Sequence, residues 1–138
     1  MSVEFCDTNI LVYAYDLGAG PKRDQALDLT ARLWQDRAGA TSVQVLQELF
    51  SVLTRKLKPA VPAARARQIV VDTSRWHVAA LDGSDVVVAI DIAARHVVSI
   101  WDACIIVAAV KAGASTIWSE DLGDGADYGG VTVRNPFR

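Results

Sequence analysis

Short apolar runs that read as strands alternate along this chain with longer segments patterned as helices. That alternation leaves few folds open. Strand signals fall at residues 3–7, 40–42, 77–81, 116–118 and 131–133. Helical periodicity occupies residues 10–13, 24–37, 43–58, 63–75, 85–96 and 100–111. Gly18 to Pro21, Gly39, Pro59, Pro62 and Gly113 punctuate the segments. Thr41 with Gln44 has the pattern of a capping box for the third helix, and Ser84 and Ser99 are expected to cap the last two. Strands joined through helices imply right-handed crossovers and a parallel sheet covered on both faces. The expectation is an α/β fold: three layers, α/β/α, around a short and mostly parallel central sheet. A length of 138 residues suits one domain spanning 1–138.

Several function classes are excluded early. The longest unbroken apolar run, residues 103–110, has 8 residues, whereas a membrane span needs about 20. No basic residue precedes Lys22, so a secretory leader is not expected and the chain reads as cytoplasmic. Cys6 and Cys104 read as buried thiols. With only His77 and His96 available, a Cys/His zinc site lacks ligands. Any metal would be a hard cation held by oxygen.

In open parallel sheets, ligands bind beyond the carboxyl ends of the strands. Four acids draw attention there or at a helix start. Asp7 ends the first strand, where a plain helix cap would also place it. Glu48 sits at the rim of the apolar arc of its helix, where a loose pair with Arg55 is the simpler reading. Asp102 follows Ser99 as in a capping box, yet it opens a helix apolar on every side, which should be buried. Asp121 lies in a Gly/Asp-rich loop, as turn residues do; Glu120 beside it points elsewhere if the segment is extended. Acids that converge without Lys or Arg partners repel one another unless divalent cations neutralise them. Mg²⁺ or Mn²⁺ suits such oxygens, and a water acidified by the metal is a nucleophile for a phosphodiester.

The ordered set Asp7-Thr8-Asn9-Ile10-Leu11-Val12-Tyr13-Ala14, Gln44-Val45-Leu46-Gln47-Glu48-Leu49-Phe50, Ser99-Ile100-Trp101-Asp102-Ala103 and Ser119-Glu120-Asp121-Leu122 resembles the PIN-domain ribonucleases, and within them the VapC-type toxins of toxin–antitoxin pairs. The resemblance implies a PIN-like fold and Mg²⁺-dependent endonucleolytic cleavage of RNA, with Mn²⁺ as a substitute. It implies that Asp7, Glu48, Asp102 and Asp121 are the catalytic, metal-holding quartet, supported by Ser119 and Asn9. It also implies a small antitoxin partner and a homodimer. The competing expectation is a non-catalytic PIN-like module that binds RNA or protein. A receiver-like phosphotransferase is a third, weakened because Asn9 stands where a second acid would be needed.

Net charge is −2, from 14 basic and 16 acidic residues, which by itself speaks against a nucleic-acid partner. The distribution differs. Arg55, Lys56, Lys58, Arg65 and Arg67 cluster on and after the helix bearing Glu48. They are candidates to hold RNA phosphates, with an ordinary solvated face as the alternative. Trp101 either stacks a base or packs in the core; the core is expected for it, Trp34 and Trp118.

Overall fold

A computed structural model describes residues 2–138. Its elements are β1 (Val3–Cys6), α1 (Thr8–Tyr13), α2 (Pro21–Asp36), β2 (Gly39–Ser42), α3 (Val43–Arg55), α4 (Ala63–Thr73), β3 (His77–Ala79), α5 (Gly83–His96), α6 (Ile100–Lys111), β4 (Ala114–Trp118), β5 (Asp127–Tyr128) and β6 (Val131–Arg134). The strand order is β3-β2-β1-β4-β6-β5, and every neighbouring pair is parallel except β5 with β6. The mostly parallel sheet expected from the alternation is therefore present.

The topology places the functional edge. From β1 the chain steps to β2 and β3 through α1–α4. It then returns through α5 and α6 to β4, on the other side of β1. Right-handed crossovers in opposite directions put the two helix groups on opposite faces. The point of reversal lies between β1 and β4, and in open parallel sheets ligands bind beyond the carboxyl ends of the strands at such a point. Cys6 pairs with Trp118 at that end, so residues 7 and 119 leave the sheet side by side.

Phe5, Ile10, Leu49, Ile106, Ile117 and Val133 are among the fully buried side chains of the main core. Helix α6 is buried on nearly every side. Ile105, Ile106 and Ala109 join the core of the sheet, while Ala103, Cys104 and Val107 pack with Ala89 of α5. No single helix among the described residues is long and apolar enough to cross a membrane.

Local signals were displaced in several places. Ser42, not Thr41, caps α3: its Oγ accepts from the Val45 amide at 3.2 Å, while the buried Thr41 hydroxyl reaches the Cys6 carbonyl. Asp82, not Ser84, caps α5 in a reciprocal box with Asp85, because a carboxylate is the stronger acceptor for the first-turn amides. Helix α2 starts at Pro21 and ends at Arg37, which takes a left-handed conformation (φ 54°). Gly39 instead enters β2, where a Cβ would lie 2.5 Å from Trp76 Cδ2. The Gly/Asp-rich loop contains β5, paired antiparallel with β6. Trp34 and Trp101 are 47% and 69% exposed, against their expected place in the core. Trp118 is half-buried, and its indole N–H donates to Glu4.

Candidate active site

Asp7 follows β1 with extended backbone and caps α1. Its carboxylate is 7% exposed. One oxygen accepts the Thr8 amide at 2.7 Å and the other the Ser119 hydroxyl at 2.8 Å. Burial pushes its pKa up to about 6; these two bonds oppose the shift, and the charges of Asp121 and Glu48 add to it. Asp7 therefore feels the charges of two of the other three acids.

Thr8 joins the second acid to the first. Its hydroxyl donates to Glu48 Oε2 at 2.7 Å, and Gln44 Nε2, one helical turn before Glu48, donates to Oε1 at 3.0 Å. Glu48 is spent on these neutral donors and not on Arg55. Asn9 reaches the fourth acid: its Nδ2 donates to Asp121 Oδ2 at 2.9 Å, and its Oδ1 accepts from the Glu120 amide at 3.4 Å. Ser119 is fully buried. Besides donating to Asp7, it accepts from the Asp121 and Leu122 amides at 3.2 and 3.3 Å. Its single proton and both lone pairs are thus in use.

Asp102 stands apart. It lies half-buried in the first turn of α6, where its amide donates to Ser99 Oγ at 3.0 Å. The reciprocal bond of the expected capping box is not made, leaving its carboxylate uncommitted among the described residues. α6 runs back across the sheet to the start of β4, so its first turn lies at the carboxyl edge shared with Asp7. No hydrogen bond among the described residues ties Asp102 to the other three acids.

No Lys or Arg forms an ion pair with any of the four acids among the described residues; the ion pairs lie at Lys22–Glu120, Arg32–Glu4, Arg32–Asp36 and Lys111–Asp85. Glu120 points away; the segment bends after β4 ends at Trp118, so strand alternation is not the reason. Lys22 and the Tyr13 hydroxyl both donate to it, and Lys22 Nζ lies 5.1 and 5.3 Å from the Tyr13 and Phe137 ring centroids. This fastener beside Asp121 had no signal in the sequence. Thr8 stood inside the Asp-Thr-Asn motif without a role, and the link from Gln44 to Glu48 was visible only as a four-residue spacing.

The donor set, all carboxylate oxygens with hydroxyls and amides around them, is the chemistry of a hard cation. A buried carboxylate raised to about 6 beside two other acids gains from a positive charge. As the side chains stand, however, no three acidic, histidine or cysteine groups among the described residues form a ready metal cage. Each carboxylate oxygen that accepts a hydrogen bond keeps a second lone pair, so Glu48 and Asp121 can hold an ion while Thr8, Gln44 and Asn9 stay bound to them. Burial pushes the Cys6 thiol well above its ordinary range and raises Cys104, so neither is a thiolate ligand at neutral pH. Arg55, Lys56, Lys58, Arg65 and Arg67 are all exposed, on the end of α3, the following link and α4. None of them bonds to the acids.

A family model described as the PIN domain matches residues 5–123, a stretch that contains all four acids. No curated protein matches in sequence. Among solved structures the chain is similar to Mycobacterium tuberculosis VapC20, described as a sarcin-ricin loop cleaving toxin. The identity is 22%, the TM-score 0.65, and the match covers 86% of this chain and 91% of that one. It is also similar to a chain of FitAB bound to an IR36 DNA fragment, at 17% identity and TM-score 0.70, over 99% of this chain and 96% of that one. At such identities the likeness is one of fold.

Proposed function

The chain belongs to the PIN-domain family, and from that premise we propose that it is a divalent-metal-dependent endoribonuclease, the toxin of a VapBC-type pair. The observation that carries this reading is Asp7: a buried carboxylate with two acidic neighbours and no cationic partner among the described residues. A structural carboxylate so placed is normally paired with a cation. The description of VapC20 as a sarcin-ricin loop cleaving toxin supports the class of substrate.

In this reading Asp7 and Asp102 hold Mg²⁺ or Mn²⁺ most directly, and Glu48 and Asp121 complete the shell or orient its waters. A bound divalent ion supplies positive charge at the scissile phosphate and lowers the pKa of water. The chain's own residues do the rest. Ser119 fixes the orientation of Asp7, and Thr8 and Gln44 aim Glu48. Asn9 holds the loop carrying Asp121. The exposed basic run gives RNA phosphates a sequence-independent hold. A small antitoxin and a second copy of the chain are the expected partners.

A binding module without catalysis is the second reading, favoured by the lack of a ready cage among the described residues. One experiment separates them. Purified protein is incubated with a broad RNA panel in Mg²⁺, in Mn²⁺ and in EDTA, beside Asp7→Asn. Cleavage that needs the ion and Asp7 supports the nuclease; RNA binding without cleavage in either metal supports the module. Co-purification of a small protein encoded next to this one tests the toxin assignment.

A further inference from the structure

We propose that the cavity between α3 and the start of α6 is a subsite for one nucleobase of the RNA, with a preference for bases carrying an exocyclic amine. The proposal rests on the nuclease reading and specifies what that site would recognise beside the cut. The cavity has a volume of about 280 Å³ and is walled by Val43, Gln44, Gln47, Leu81, Val86 and Trp101, among others. That is small for a drug-sized ligand and suits a single planar group. It opens at the carboxyl ends of β2 and β3, where Ser42 pairs with Ala79, on the same edge of the sheet as Asp7.

Three observations point to a base. Trp101 precedes Asp102 and is 69% exposed, an indole kept at the surface beside an uncommitted carboxylate. Such aromatic faces stack unpaired bases. The rest of the wall is mostly apolar, as the body of a base requires. The polar side chains are Ser42, whose hydroxyl oxygen caps α3, and the amides of Gln44 and Gln47, of which Gln44 is already oriented. Gln44 Nε2 donates to the Glu48 carboxylate, which only accepts, so Gln44 Oε1 is left as an acceptor. Adenine, cytosine and guanine offer an amine to that oxygen. Uracil offers one N–H recessed between two carbonyls, which the Gln44 oxygen repels. The cavity is thereby tied through one hydrogen bond to a proposed metal-holding acid, so a base seated there would place its phosphate near the acidic edge.

The test uses AMP, CMP and UMP, which contain no phosphodiester to cut, titrated against the protein in Mg²⁺ while tryptophan fluorescence is read. AMP and CMP are expected to quench with roughly tenfold lower apparent Kd than UMP, the scale of one hydrogen bond. Trp101→Ala is expected to remove most of the quenching with an unchanged circular-dichroism spectrum. Gln44→Leu keeps the indole, removes the acceptor that sets the preference, and is expected to bring UMP level with AMP and CMP. Equal quenching by UMP, quenching that survives Trp101→Ala, or no quenching at all overturns the subsite. So does a Trp101→Ala protein that changes its oligomeric state and not its nucleotide binding. RNA cleavage measured on the same preparations keeps the two readings apart: selective quenching without cleavage removes the nuclease and leaves the subsite.

Discussion

The Ser119 hydroxyl donates to Asp7 Oδ2 across 2.8 Å, joining the carboxyl ends of β1 and β4. The same oxygen accepts two amides of the loop that carries Asp121. One buried side chain therefore sets the rotamer of the first acid and the backbone position of the last.

Ser119→Ala is expected to leave Asp7 Oδ2 and two loop amides without their partner. Each buried polar group stranded in this way costs about 1–3 kcal/mol. Thermal denaturation should show a clear loss of stability, and cleavage should fall further than the stability loss explains. An unchanged melting temperature would mean that water replaces the hydroxyl at no cost.

Asp7→Asn is expected to shift the stability of the metal-free protein upward at neutral pH relative to its effect at pH 4. The folded pKa of Asp7 lies above its usual value of 3.8, at about 6. Its favourable contribution is thus complete below pH 3.8 and lost as the pH rises through 6. Removing the charge should recover roughly 2–3 kcal/mol at pH 7 and almost nothing below pH 4, and at both pH values this is offset by the cost of an Nδ2 amide facing a Ser119 oxygen whose lone pairs are in use. Denaturant titrations of both proteins in EDTA, at pH 7.5 and pH 4, check the sign. In Mg²⁺ that upward shift should narrow or reverse, because only the wild-type carboxylate gains from the ion. Metal affinity should weaken as the pH falls through 6, where Asp7 takes up its proton.

Asp102→Asn is expected to keep stability within about 1 kcal/mol, since the carboxylate is uncommitted and gives up only a favourable place in the first turn of α6. RNA cleavage in Mg²⁺ should drop at least about a hundredfold, the scale of a lost group that acts on transition-state charge. Glu48→Gln should likewise fold, because an amide oxygen can still accept from Thr8. Full cleavage by Asp102→Asn would remove it from the metal set and leave three acids.

Gly39→Ala is expected to destabilise the fold without touching the acidic edge. A Cβ at residue 39 would meet Trp76 ring atoms at 2.5–2.7 Å. Crowding of this kind costs typically 1–3 kcal/mol. Melting curves should shift downward while metal binding at the opposite end of the strands is retained.

What the sequence determined by itself is local. Strand and helix periods, the caps at Asp7 and Ser99, the glycine at Gly113 and the all-round apolar surface of α6 are properties of neighbouring residues, and each was legible within one turn or a few strand positions. The same local patterns put each acid at an element's end, start or rim, and the resemblance grouped the four as a set. What the tertiary structure decided is which ends meet. Asp7 and Ser119 lie 112 positions apart, as do Asn9 and Asp121, and Thr8 lies 40 from Glu48. Their contacts depend on strand order, crossover hand and register, which no local pattern contains. The rotation of each helix about its axis is set the same way, by packing. That is why Trp101 faces solvent beside the acids when its chemistry alone favoured the core, and why Asp102 stands unpaired while the other three share one hydrogen-bonded frame.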